Sequence, residues 1–307
     1  MPALTNATRH REPWASRGSA SAQVIGWAIV VLLHLGPGVA TSHAAEQADR
    51  SPAIADGETT HYPSGGAQIE TYVARPKPPG KHPAVMIVHD DLGLNDAMRN
   101  IAQLFARAGF VAFTPNLASR GARGLPPASG TMGAATLNRL GLPPSQTVND
   151  LLAGFKVLQQ DTDVDASKIS AIGLGWGGYR VWKMAEQLPT LYRGVVFYGV
   201  TPTEDEISTI HAPILGHYAQ YDFILTASVL KTRKQLGQKF TFHIYPTTRG
   251  FLGGGSANSA LDIAALAGEV DLYALETSRK TERPAPSTGD TRHARLALER
   301  TLAFLRN

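Results

Sequence analysis

Any chemistry in this chain must be arranged around Gly173-Leu174-Gly175-Trp176-Gly177-Gly178. The run Lys168-Ile169-Ser170-Ala171-Ile172 before it reads as a buried strand, and Tyr179 to Gln187 after it reads as a helix. A strand that passes through Gly-x-Nuc-x-Gly into a helix is the strained turn that lifts a nucleophile into a site. The middle residue here is Gly175, which has no side chain to attack with. Glycine keeps such a turn at little cost, because it takes positive φ freely. The same turn, alone, is also how a strand and helix pack closely. The chain has no cysteine, so no other thiol can serve, and disulfides and thiolate metal sites are excluded.

Other groups have types and positions suited to chemistry. Asp90 and Asp91 follow an apolar strand, where burial of one carboxyl beside another raises its pKa and makes it a weak acid or base. Asp222 follows a later strand, where it can orient a base or simply cap the next helix. His89, His217 and His243 invite a metal or substitute-base reading, but their spacing is not that of a ligand pair and satisfied strand-end histidines are commoner. No metal and no cofactor is expected. Arg120 and Arg123 sit in a glycine- and proline-rich loop, where a ligand carboxylate could be held or the side chains could be solvated. Trp176, on the turn, is a better pocket candidate than Trp182.

The elements that would position these groups alternate. Strands are expected at 67–74, 84–89, 110–114, 168–173, 195–198, 213–218 and 240–245. Helices are expected from Asp96 to Ala108, from a Ser145 cap to about Gln160, then to Leu188, from Thr226 to Leu236, from Ala260 to Glu276, and at 291–305. Residues 116–144 read as a long loop over the strand ends, and 279–290 as a polar loop. This spacing predicts an α/β fold, a mostly parallel central sheet flanked by helices on both faces.

From about Gly66 onward the chain resembles the dienelactone hydrolase family of α/β-hydrolases. The likeness lies in Tyr72-Val73-Ala74-Arg75-Pro76, in His82 to Asp90 with Leu92-Gly93-Leu94-Asn95, in Ala108 to Ala112 with Pro115-Asn116-Leu117, in Gly173 to Gly178, in Gly216 to Asp222, and in His243-Ile244-Tyr245-Pro246. The resemblance implies an α/β-hydrolase fold and a Cys-Asp-His ester or lactone hydrolase. Carried over residue by residue, the cysteine falls on Gly175 and the aspartate on Asp222. The histidine falls on Arg249 or Gly250, depending on a one-residue gap. Asp90 stands where the family has a glutamate that points into the site. The oxyanion-binding amides map to Trp176 and Asp91. Two of the three catalytic groups are therefore missing, and only His293 lies beyond this point, within the last helix. If Arg249 takes the histidine position, its guanidinium is expected to pair with Asp222, bidentately in the best geometry.

The chain has 307 residues, 43% of them hydrophobic, and a formal charge of +4. That is enough for one sizeable core. The basic residues are scattered, which argues against nucleic acid as a partner. Arg9, Arg11 and Arg17 precede the apolar run Val24 to Leu33, and Ser42-His43-Ala44 offers small residues for a peptidase. The expected organisation is a signal peptide over 1–44, a lead-in over 45–66, and one hydrolase-like domain over 67–307. The mature protein is expected to be exported to the periplasm or medium, with no stable membrane insertion. Three readings stay open: an impaired enzyme whose cleft binds a small carboxylate, an ester or a protein partner; a hydrolase with a rebuilt site; and an interaction module with a closed pocket.

Overall fold

The computed structural model describes residues 57–120, 142–252 and 289–307. Eight strands form one sheet in the order β1-β2-β4-β3-β5-β6-β7-β8. They are β1 (Glu58–Ser64), β2 (Ala67–Ala74), β3 (His82–Val88), β4 (Val111–Pro115), β5 (Val164–Leu174), β6 (Gly194–Phe197), β7 (Ile214–Ala219) and β8 (Phe240–Tyr245). The β1–β2 and β2–β4 pairs are antiparallel, and every other pair is parallel. The helices are α1 (Asp96–Arg107), α2 (Pro144–Gln160), α3 (Trp176–Gln187), α4 (Glu204–Ile207), α5 (Phe223–Leu236) and α6 (Gly289–Arg306).

The expected α/β-hydrolase architecture is what the chain adopts. Strand β3 is apolar throughout its second half because helices cover both faces of the sheet. On one face, Met98, Ile101 and Phe105 of α1 and Leu298, Leu302 and Leu305 of α6 pack together. On the other, Leu151, Phe155 and Leu158 of α2 meet Val181 and Trp182 of α3 and Val229 of α5. Each such side chain contributes about 1.5–3 kcal/mol on burial.

Helix α1 starts where Asn95 accepts a hydrogen bond from the Met98 amide at 3.0 Å. It ends at Gly109, whose φ of +92° the helix cannot continue.

Two local expectations are corrected. Residues 58–64, within the expected lead-in, form a strand that was not expected. This edge strand buries little beyond Tyr62 and Ser64, so it carries no apolar alternation, and Pro63 is tolerated only because it lies at the edge. Helix α2 is not capped by Ser145. Its N-cap is Pro143, with Pro144 preset for the first turn. The expected helix over 260–276, the segment 1–44 and Arg123 lie outside the described residues.

Candidate active-site cleft

The chain turns that follow β3, β5, β6, β7 and β8 gather at the carboxyl ends of the parallel strands, where open α/β sheets bind ligands. They bring together Asp90 and Asp91, Gly175 and Trp176, Tyr198, Asp222, and Arg249.

Gly175 occupies the turn from β5 into α3 with φ +48° and ψ −108°, an elbow conformation that side chains adopt only under strain. A Cβ there would lie 3.5 Å from the Asp90 Cβ and 3.7 Å from Cε2 of Tyr198, an ordinary contact. A side chain's first carbon would therefore fit there, and Gly175 has none. Gly177, two residues on, is required for a different reason. A Cβ there would collide with the Val88 and His89 carbonyl oxygens. The glycine run thus does two jobs: it forms the elbow and it lets α3 lie against β3.

Neither the Trp176 amide nor the Asp91 amide donates to an acceptor among the described residues. The Trp176 amide opens helix α3, whose N-terminus favours negative charge.

Asp90 flanks the elbow with only 3% of its surface exposed. Its Oδ1 accepts from the Leu92 amide at 2.9 Å. Burial above all, with a smaller push from Asp91, raises its pKa to about 7, against the opposing pull of that amide and of Arg249. Asp90 thus keeps its proton to a higher pH than an ordinary carboxylate. Tyr198 faces the same space, is fully buried, and has a φ of +40°, strained for a tyrosine. Burial, and then the Asp90 charge, hold its phenol well above the usual range, so it remains neutral.

Asp222 does cap a helix: its Oδ1 accepts from the Leu225 amide at the start of α5, at 3.4 Å. Its Oδ2 accepts no hydrogen bond among the described residues. Arg249 Nε stands 3.9 Å from that oxygen, and Arg249 is 51% exposed. This is a loose ion pair and not the bidentate one expected from sequence. A pair so exposed contributes about 0–1 kcal/mol.

Arg120 is engaged within the protein and is not a solvated loop arginine, so its charge is already matched by Asp150. It donates through Nε to Asp150 Oδ2 at 2.8 Å and through Nη2 to Asp150 Oδ1 and to the Ser64 carbonyl. Ser64 Oγ donates to Asp150 at 2.6 Å. This buried cluster fastens β1 to α2 and the turn Leu117–Arg120.

His89 and His217 are satisfied within the protein. His89 Nε2 accepts from the Leu117 amide at 3.1 Å, which leaves Nδ1 to donate to the Asp90 carbonyl at 2.7 Å. Burial lowers its pKa to about 4. His217 donates from Nε2 to Thr301 Oγ1 at 3.0 Å, since that hydroxyl already donates to the Ala297 carbonyl. Its Nδ1 accepts from the Tyr245 hydroxyl at 2.8 Å. Burial, then His243, hold its pKa well below the ordinary value. His243, half-buried, lies on β8 beside it. No cluster of metal-ligating groups occurs among the described residues.

Trp176 does not open onto the cleft as a free ring. It stacks on His89 with centroids 5.8 Å apart and planes 2° apart, and the Arg180 guanidinium lies 3.4 Å from the ring centroid. Trp182 is core, edge-on to Phe240. Sequence reasoning missed Tyr198 and Arg180. Tyr198 sits one residue past β6, at the strand end that the topology aims at the elbow, and this position was its only signal.

An α/β-hydrolase sheet with a glycine at the elbow defines the class, and comparison places the chain within it. The family model for the dienelactone hydrolase family matches residues 69–273. The chain belongs to the dienelactone hydrolase family. It is 27% identical over 222 residues to a protein of Yersinia pestis provisionally named a carboxymethylenebutenolidase, covering 64% of this chain and 78% of that protein. It is 26% identical over 230 residues to a similarly named protein of Saccharolobus solfataricus, covering 62% and 88%. Among solved structures, a dienelactone hydrolase from Klebsiella pneumoniae, provisionally so titled, superposes with a TM-score of 0.64 at 21% identity, over 83% of this chain and 99% of that one. A dienelactone hydrolase-like promiscuous phosphotriesterase from metagenomic libraries superposes with a TM-score of 0.60 at 16% identity, over 82% and 99%. These structural likenesses speak to the fold.

Proposed function

We propose that the protein is an exported member of the family that binds a small carboxylate or ester in its cleft and does not turn it over. Gly175 at the elbow carries this reading. Acyl transfer needs a nucleophile and a base as well as oxyanion donors. Here the Trp176 and Asp91 amides are unengaged among the described residues, the residue at the elbow has no side chain, and Arg249 near the Asp222 carboxylate cannot accept a proton. The family's name supports an ester or lactone as the ligand class. Export rests on the basic and apolar pattern of residues 1–44 alone.

One observation favours a second reading, a rebuilt hydrolase. Asp90 lies against the vacant nucleophile space with a pKa of about 7, suited to activating a water. The two readings part in one experiment on the purified mature chain. Thermal-shift titration with small aromatic acids and their methyl esters is run beside product analysis of the same mixtures. Binding with intact ester supports the first reading. Ester consumed in proportion to protein and time, and spared by Asp90→Asn, supports the second.

A further inference from the structure

The large apolar side chains exposed among the described residues are concentrated in one place. Five of the seven lie on or beside α5: Tyr221 in the turn before it, Phe223, Ile224 and Leu230 on the helix, and Ile244 on the neighbouring strand β8. Phe223 is 73% exposed, Ile224 87%, Leu230 65% and Ile244 41%. Those four side chains present roughly 500 Å² of apolar surface, at the upper end of what a soluble monomer leaves contiguous. Helix α5 already buries Leu225, Val229 and Leu236 on its inner side. Phe223, the small Ala227 and Leu230 form a second apolar stripe at helical spacing on its outer side, which a helix with one buried face does not need.

The sheet edge beside this stripe is also unprotected. Strand β8 is the last in the sheet and pairs only with β7 among the described residues. The opposite edge, β1, carries Glu58 and Pro63, a charge and a proline of the kind that keep edges from pairing with other chains. Strand β8 holds no proline and no Asp, Glu, Lys or Arg. The occupant that fits is a copy of the same face. A standard interface takes about 800 Å² from each partner, a little over half of it apolar, and that apolar share is close to what this face presents. A two-fold axis at Ala227 runs two α5 helices antiparallel and sets Leu230 of one copy against Phe223 and Ile224 of its partner. The small Ala227 lets the helices approach at the crossing. Lys231 and Lys234 are carried toward opposite ends, which keeps like charges apart, and Lys231 is already matched by Glu204 at 2.6 Å.

We propose that a second copy of this chain docks on the face formed by α5 and the edge of β8, giving a two-fold dimer centred on Ala227. The contact uses the same patch on both copies, so it closes at two. The interface begins one residue from Asp222, at the rim of the cleft.

The test is sedimentation equilibrium of the full chain across micromolar concentrations, which is expected to show a reversible species of twice the chain mass. Ala227→Glu and Leu230→Lys each place an unpaired charge at the centre of the contact and should weaken association by at least about tenfold. Val157→Lys, at an exposed apolar position on α2, should leave association unchanged. All three positions are exposed, so these variants should fold as the wild type does. The chain has no cysteine, so one introduced thiol reports the geometry independently. Mild oxidation should link Ala227→Cys into a covalent dimer, because the axis brings the two copies of that position within disulfide reach. Lys234→Cys should not link, because its two copies lie about 20 Å apart along the helix axis. A monomer at every concentration would overturn the proposal and give this face to another segment or partner. So would a dimer indifferent to Ala227→Glu and Leu230→Lys, or one weakened equally by Val157→Lys. Cross-linking through Lys234→Cys and not through Ala227→Cys would overturn the two-fold at Ala227 and the proposal with it.

Discussion

Replacing Asp90 by asparagine should change the pH dependence of stability, with a sign and size set by burial. The folded protein holds the Asp90 carboxyl at about 7, against a usual value of 3.8. Between these values the unfolded chain has released the proton and the folded chain keeps it. Stability therefore falls as pH rises through this window, by about 1.4 kcal/mol per pH unit and about 4 kcal/mol in total. Below pH 4 the penalty is absent, and above pH 7 it is fully present. The Asp90→Asn side chain keeps an oxygen to accept from the Leu92 amide and has no charge to bury. Urea unfolding of both proteins from pH 4 to pH 8 measures the effect. The variant should be close to the wild type at pH 4 and more stable by several kcal/mol at pH 8. Taking the difference removes the opposite contributions of His89 and His217, whose lowered pKa values cost stability as pH falls below about 6.5. Parallel curves for the two proteins would refute the buried, proton-holding Asp90.

Three further outcomes follow from the packing. Arg120→Ala strands the buried Asp150 carboxylate and should destabilise the fold by about 3–5 kcal/mol in urea unfolding, far more than a solvated loop arginine would. Gly177→Ala drives a methyl group into the Val88 and His89 carbonyls and should cost about 3 kcal/mol or more, or abolish soluble expression. Gly175→Cys should fold, with a cost of about 1–2 kcal/mol from the positive φ, and its thiol should react with a thiol reagent. The same variant should give no burst of acyl-enzyme with an aryl ester, because the Asp222 carboxylate has Arg249, and no histidine among the described residues, beside it.

The sheet and the elbow were legible in the sequence because both are local. The β-branched run before Gly173 and the helix after Gly178 announce the turn, and the vacancy at Gly175 is visible in one letter. Strand β1 was not legible. Its stability comes from ladder bonds to β2 and from Tyr62 and Ser64 reaching Asp150, not from an alternating pattern. Arg120 misled for the same reason: its counter-ion is thirty residues away inside a helix that reads as ordinary. The burial of Asp90 near Tyr198 depends on two strands brought together by a crossover, and no spacing in the chain encodes it. Arg180 reads as one helix-surface cation among many until the helix is docked and its side chain is found to be covered.

Hydrolysis of a p-nitrophenyl ester by the unmodified protein, followed as initial rate against substrate and protein concentration, tests the central claim most directly. Enzymes stripped of triad residues retain only about 10³–10⁴-fold over water. The proposed reading, with no side chain at Gly175 and no proton acceptor at Arg249, predicts a rate at or below that level, without saturation, and unchanged by Asp222→Asn. A saturable rate far above it, lost on substitution of Asp90 or Asp222, would contradict the claim that the cleft binds without reacting.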